Sequence, residues 1–372
     1  MLEKDTLSVI GDGDCFSFDP VSPPIFQTST FGGGKEYSYS RLSNPTRDAL
    51  QKSLALLENG RHAFAFSSGL AAINSVFSLL KQGDRVLLSD DLYGGTYRIS
   101  AEIFSDYGID FEFCDMQDVN ALEERMKKDV KMVFAESPTN PMMKIADLRR
   151  IASLCNEKGI IFAVDNTFLT PIFQNPLDLG ADIVIHSATK YISGHHDVIA
   201  GAAVTKSDEL ASRLSYVSST LGNALSPFDS WLVLRGIRTL PIRMERHQEN
   251  AFAAAEYLSL HPKVEQVIFP GLESHEGHSL CKSQSCGFGG VVSFTVRDAS
   301  LAKRILKGGK IIKFAESLGG FRSLITYPLT QTHASVSEEM RERSGITDRL
   351  FRLSLGLESK KDIIGDLEYL LG

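Results

Sequence analysis

The chain has 372 residues, 43% of them hydrophobic and 23% charged, with a formal net charge of −7. That is a globular composition, long enough for two domains and a large core, and its acidic balance argues against a nucleic-acid partner. No apolar run reaches membrane-spanning length, the opening MLEKDTLSVIGDGD has no signal-like core, and five scattered cysteines fit a reducing compartment; cytoplasm is expected.

Residues 1–40 read as an arm, since PVSPPIF and the flexible FGGGKEYSYSR hold too few apolar residues for a core. The glycines before Lys35 lack the preceding strand and the Lys-Ser/Thr ending of a phosphate loop. Tyr39 and Arg41, two apart on an extended segment, point to one side and can grip a phosphate together. NPTRDALQKSLALLENG then reads as a helix with Asn44 as cap, Pro45 in its first turn and Gly60 as its stop. In AFAFSSGLAAINSVFSLLKQG a short apolar segment gives way to Ser67, Ser68 and Gly69, then to a helix of small and apolar residues. Such a helix start aims free N–H groups and a hydroxyl at an anion, although an ordinary capped helix has the same pattern.

Strands and helices alternate from there. RVLLSDDLY, DFEFCDM, VKMVFAES, IIFAVDNT, DIVIHSATK and AGAAVTK read as strands, with GGTYRISAEIFSDYG, VNALEERMKKD and IADLRRIASLCNEKG as helices between them. This is the pattern of an α/β, doubly wound, mainly parallel sheet. Tyr93, Asn140, Asp165, Asn166 and Lys190 fall at strand ends, where open α/β sheets place ligands. Lys190 follows the buried run DIVIH, and desolvation there lowers an amine's pKa and makes it a nucleophile toward carbonyls. The plain alternative is a lysine pointing into water. Ser187 and Thr189 beside it suit a phosphate.

The stretch SPFDSWLVLRGIRTLPIRMERHQENAFAAAEYLSL reads as helical, with a kink or break at Pro241. A boundary near there divides a large domain, 41–237, from a small C-terminal α+β domain, 238–372. The latter holds VVSFTV, IIKFA, SLITYP and FRLSLGLE as strands and DIIGDLEYLL as a helix.

Pyridoxal 5'-phosphate (PLP) chemistry needs a Schiff-base lysine, an acid on the pyridine nitrogen, a phosphate-binding helix start and a stacking ring. Lys190, Asp165, Ser68 with Gly69, and Tyr93 can supply these, and Arg352 offers a fork for a substrate carboxylate. Other signals are weaker. His275, His278, Cys281 and Cys286 have zinc-like spacing but lie in a loop of a domain large enough to fold without metal, so no metal is expected. Adjacent His195 and His196 point apart and suit a polar loop or a substrate entry. Cys114 reads as a core thiol. No G-x-G-x-x-G follows the first strand, which argues against a dinucleotide fold.

The motifs YSYSRLSNPTR, AFSSGLAAI, DLYGGTYR, ESPTNP, VDNTF, LGADIVIHSATKYISGHHDVIAG, FAESLGG and ITDRLFRLSLGLE resemble those of the trans-sulfuration PLP enzymes of cysteine and methionine metabolism. The resemblance runs from about residue 20 to the end. It implies the aspartate-aminotransferase-like fold type I. Lys190 would then hold the cofactor and shuttle protons, Asp165 pair its nitrogen, and Tyr93 stack on its ring and assist catalysis. Ser68, Gly69, Leu70, Ser187 and Thr189 would hold the phosphate, with Asn140 near the ring hydroxyl and Thr167 close by. Arg352, supported by Ser317, would bind the substrate carboxylate, with Asn140, Glu316 and Arg98 nearby. Tyr39 and Arg41 would reach a neighbouring subunit's phosphate in a homotetramer, a dimer of dimers with shared sites.

Within that family the stretches SPFDSWLVLRGIRTL and FAESLGGFRSLITYPLTQTHA look most like bacterial cystathionine γ-synthases, which join O-acyl-L-homoserine to L-cysteine. Cystathionine γ- and β-lyases stand close behind, and a catalytically silent binding protein of the same fold is a remote third. Glu316 matches the γ-synthase and γ-lyase pattern. Leu318 stands where enterobacterial-type β-lyases carry an aromatic residue. Gly95 replaces the cysteine of methionine γ-lyases, and Arg322 stands where the family usually has Glu, a local change of two charge units.

Overall fold

A computed structural model of the chain describes residues 2–11, 20–33, 36–334 and 338–372. Gly34 and Lys35 of the glycine link, and residues 12–14 of the opening segment, lie outside them. Seven apolar runs form one sheet: β1 (His62–Phe66), β2 (Arg85–Ser89), β3 (Asp110–Cys114), β4 (Val130–Glu136), β5 (Ile161–Asp165), β6 (Ile183–His186) and β7 (Gly201–Thr205). Their spatial order is β1-β7-β6-β5-β4-β2-β3. The run from β6 to β3 is parallel throughout, while β7 is antiparallel to both of its neighbours. The apolar AFAF segment, read only as a lead-in to the serines, is thus the edge strand β1.

Local chemistry explains the helix starts. Asn44, Ser68, Asp118, Asp147, Ser207 and Ser226 each accept a hydrogen bond from a first-turn N–H of the helix that follows. Three of the helices matter below: α1 (Lys4–Ile10), α2 (Pro45–Leu57) and α3 (Gly69–Phe77). The stretch GGTYRISAEIFSDYG is helical but not uniformly α. An α turn over Gly94–Arg98 widens to a π segment over Ile99–Phe104 and tightens to a 3₁₀ turn at Ser105–Tyr107. Pro241 causes a break rather than a kink. One helix ends at Ile237, and Leu240–Leu260 begins with Pro241 in its first turn, where a missing N–H leaves no bond unmade.

Alternation along the strands builds two apolar layers on the sheet. Phe134, Ala163, Ile183 and Ile185 face α3, whose Ala72, Ile73 and Val76 join their cluster. Val133, Ala135, Phe162, Val164 and Val184 face the other way, onto a layer that includes Leu50, Leu54 and Leu57 of α2. The second sheet comprises β8 (Val264–Ile268), β9 (Val291–Val296), β10 (Lys313–Phe314), β11 (Leu324–Thr326) and β12 (Leu350–Ser354), in the order β10-β11-β12-β9-β8. The expected strand IIKFA shrinks to two residues. Phe294, Phe351, Tyr327 and Val292 form this sheet's own core with Ala251, Ala254 and Leu258 of the long helix and Ile363, Leu367 and Leu370 of the last one. Each fully buried Leu or Phe here stabilises by about 1.5–3 kcal/mol.

The same alternation separates two neighbours. Asp165 enters a cavity above the strand ends, while Asn166 turns onto Glu58, donating to its Oε1 at 3.0 Å. Asn166 is therefore no part of the cavity wall. His186 Nε2 meets the same Oε1 at 2.6 Å with both side chains fully buried, and Asn175 Nδ2 donates to Oε2 at 3.0 Å. Breaking one side of a buried pair leaves the other uncompensated, at a cost of about 3–5 kcal/mol. Glu58→Ala is expected to lower the urea midpoint by that much stability, and an unchanged midpoint would remove the pair from the account of the fold.

Candidate active site

The carboxyl ends of β4, β5 and β6 open into a cavity of about 350 Å³. It is lined by thirteen of the residues singled out from the sequence: Ser68, Gly69, Leu70, Tyr93, Asn140, Asp165, Thr167, Ser187, Thr189, Lys190, Glu316, Ser317 and Arg352. Three others lie elsewhere. Arg98 is exposed at the end of its short helix and outside the lining. Tyr39 pairs with Thr30 in an isolated antiparallel bridge, and Arg41 lies in the turn that follows it. The N–H groups of Leu42 and Ser43 fold back onto Tyr39 O and make a turn. Arg41 consequently packs against the Tyr39 ring, 5.7 Å from its centroid, and donates to Ser219 O.

Lys190 sits in a short turn after β6, and its Nζ donates to Ser317 Oγ at 3.0 Å. Burial, reinforced by the positive charge of Arg352, lowers its amine to about 8. Ser317 holds this position with φ of 99°, a region that side-chain-bearing residues seldom occupy. Asp165 Oδ1 accepts from Thr167 N at 2.9 Å and Thr167 Oγ1 at 2.5 Å. Burial pushes its carboxyl up, while those bonds and His186 oppose the rise. Thr167 Oγ1 also takes the N–H of Ser187 at 2.9 Å, which ties β5 to the segment that leads to Lys190.

Arg352 is only 1% exposed. It lies in β12 and donates to Asn140 Oδ1 at 2.8 Å, Ser317 O at 2.9 Å and Thr326 Oγ1 at 3.1 Å. Its Nε is buried without a partner, and no carboxylate among the described residues forms an ion pair with it. Burial lowers its guanidinium to about 10, which leaves it charged at neutral pH. A buried fork of this kind, with no carboxylate in ion-pair contact, suits a ligand carboxylate.

At α3, Ser68 Oγ takes the N–H of Ala71, and the helix start faces the cavity. A Cβ on Gly69 would stand 2.9 Å from Ser187 Cβ, so only glycine leaves this cradle open. Sequence reading missed Glu136, Ile73, Pro138, Phe168, Ile199 and Thr332 in the wall, which also includes Leu318, noted only as a family marker. Glu136 ends β4 as Asp165 ends β5, so the strand-end rule could have found it. The apolar members carry no chemical signal.

The residues of the other weak motifs are also located. His278 begins a helix and stacks on Phe288, with its Nδ1 on Pro270 O, while Cys281 is buried against Ser285. His195 Nδ1 lies on Ser193 O, and His196 packs edge-on against Phe321. Cys114 is buried.

Comparison with known proteins decides the family: the Cys/Met metabolism PLP-dependent enzyme model matches residues 5–371. The chain belongs to that family. It is 46% identical over 353 residues to a cystathionine beta-lyase of Lactococcus lactis subsp. cremoris, covering 94% of this chain and 93% of that one. It is 45% identical over 373 residues to a cystathionine gamma-lyase of Bacillus subtilis, covering 98% of each. The crystal structure of cystathionine gamma synthase from Xanthomonas oryzae pv. oryzae in complex with aminoacrylate and cysteine superposes with a TM-score of 0.96. Identity there is 40%, over 100% of this chain and 98% of that one. The protein is accordingly a PLP-dependent trans-sulfuration enzyme with a fold type I architecture. The cavity suits its cofactor: a glycine cradle at a helix start for the phosphate, a buried acid for the ring nitrogen, and a desolvated lysine amine.

Two measurements follow from this geometry. A Cβ at Gly95 would run into the Tyr93 ring. Gly95→Cys is therefore expected to displace that ring, change the circular dichroism of the bound cofactor and lower kcat/KM by about 10–100-fold; an unchanged spectrum would show that the ring has room. For Lys190, the neutral amine increases as pH rises through its lowered pKa of about 8. Covalent cofactor uptake by the cofactor-free protein should accelerate up to that pH and then level off. A rate that keeps climbing to pH 10 would place the amine back at its ordinary value.

Proposed function

We propose that this enzyme is a carbon–sulfur lyase acting on L-cystathionine and related thioether amino acids. The observation that carries this reading is the buried Arg352 fork, without a carboxylate of its own, beside the lysine amine. Arg352 would bind the substrate's α-carboxylate and so fix its α-carbon near Lys190. Asn140 and Ser317 O hold the guanidinium in place. Bound PLP supplies an electron sink that lets bonds at the substrate's α- and neighbouring carbons break. Lys190 Nζ, steadied on Ser317 Oγ, would take and return the protons at those carbons. The lowered pKa suits both tasks near neutral pH.

Asp165 would hold the protonated pyridine nitrogen, with Thr167 fixing the carboxylate. Tyr93 would stack on the ring and assist proton movement, and Asn140 would stand near the ring hydroxyl. Ser68, Gly69, Leu70, Ser187 and Thr189 would grip the phosphate. Glu316 would face the substrate, whereas Arg98, outside the lining, would not touch it. Tyr39 and Arg41, away from the cavity of their own chain, would complete a neighbour's phosphate site in a homotetramer. The division into an arm (1–40), a cofactor domain (41–237) and a small domain (238–372) belongs to the same reading. Its support is that each sheet has its own apolar core.

The lyase names of the Lactococcus and Bacillus relatives favour elimination. A second reading is replacement of the cystathionine γ-synthase type, in which the γ-carbon of an O-acyl-L-homoserine loses its acyloxy group as a carboxylate and bonds the sulfur of L-cysteine instead. The stretches SPFDSWLVLRGIRTL and FAESLGGFRSLITYPLTQTHA support it. Arg322, exposed two residues beyond Gly320, which packs on His196, brings positive charge to that region.

Incubating the holoenzyme with L-cystathionine alone separates these readings. Elimination gives ammonia with homocysteine and pyruvate (β) or with cysteine and 2-oxobutyrate (γ), and one of these product sets is expected. No turnover, together with cystathionine made from an O-acyl-L-homoserine and cysteine, would replace the lyase reading with the synthase.

A further inference from the structure

Glu136 ends β4 directly beside Asp165 at the end of β5; the two are paired in register and both line the cavity. Cross-strand neighbours in a sheet share a face, so the site holds a second carboxyl next to the one assigned to the ring nitrogen. Burial, then the negative charge of Asp165, pushes the Glu136 carboxyl well above the usual carboxylate range.

Glu136 also reaches sideways. Its Oε2 accepts the main-chain N–H of Tyr93 at 3.0 Å, and its own N–H donates to Ser89 Oγ at 3.1 Å. The carbonyl of Tyr93 accepts from Thr96 N at 2.8 Å. Both peptide groups of Tyr93 are thus fixed, and its ring lies over Gly95. We infer that Glu136 is a positioning residue: it sets the Tyr93 ring against the cofactor through the Tyr93 peptide N–H, acting as a hydrogen-bond acceptor rather than as a charge.

This rests on the reading of Tyr93 as the ring-stacking residue, and the two can fail separately. The direct readout is hydrogen–deuterium exchange of the segment 92–97 in the cofactor-free protein, which reports the Glu136–Tyr93 link whether or not Tyr93 stacks. Glu136→Gln keeps an oxygen for the N–H and should leave exchange, cofactor circular dichroism and kcat/KM within about threefold of the parent. Glu136→Leu should raise exchange in that segment, alter the cofactor band and cost about 10²-fold in kcat/KM. If Glu136→Leu does not fold, Glu136→Asp, which keeps the carboxyl but withdraws the oxygen by one methylene, should show the same loss. Equal damage from Glu136→Gln and Glu136→Leu would overturn the acceptor role, as would native exchange in Glu136→Leu or Glu136→Asp. A Tyr93→Ala variant with an unchanged cofactor band would sink the stacking reading alone.

Discussion

A guanidinium taken out of water without an ion-pair partner in contact is costly, and the arrangement around Arg352 shows how the fold accommodates that cost. The residue belongs to β12 of the second sheet, yet one of its hydrogen bonds goes to Asn140, beyond the end of β4 in the first. The others go to the carbonyl of Ser317 and the hydroxyl of Thr326. Three neutral oxygens can hold the fork in position but cannot neutralise it. Its charge lines the cavity, where it adds to burial in lowering the Lys190 amine. One buried cation thereby joins the two sheets and lies beside the lysine amine.

The lysine is held from the same side. Arg243, on the long helix that packs on the second sheet, donates to the carbonyls of Tyr191 at 2.7 Å and Gly236 at 2.8 Å. The turn that carries Lys190 is therefore fastened to a helix more than fifty residues away in sequence. Ser317, from a loop before β11, completes the cage with its strained backbone. Strain of about 1–3 kcal/mol is what such a φ costs, and the hydroxyl on Nζ and the carbonyl on Arg352 are what it secures.

The sequence made the strand-end chemistry visible because buried strands have a simple grammar: an apolar run, then a polar residue where the sheet meets the cavity. Asp165, Lys190, Asn140 and Tyr93 were legible by that rule. Asn166 shows its limit, since it lies one residue further on and alternation turns it onto Glu58. Glu136 obeyed the rule but was read as part of a motif. Glu58 and His186, 128 residues apart, have no local pattern that predicts their meeting. The turn that follows Tyr39, made by two hydrogen bonds onto its carbonyl, is likewise something no spacing argument anticipates. The sheet itself was readable as parallel, but the insertion of β7 between β6 and β1 depends on tertiary packing alone.

That insertion also has a meaning in time. Because β7 bonds to β1 on one side and β6 on the other, the first sheet cannot close until residues 201–205 have been made. In a chain emerging from the ribosome, Asp165 and Lys190 are exposed before they have a cradle. Arg243, Ser317 and Arg352 all come later still. The order of synthesis therefore places Asp165 and Lys190 well ahead of Arg352, and the cavity wall is complete only when its last strand is added.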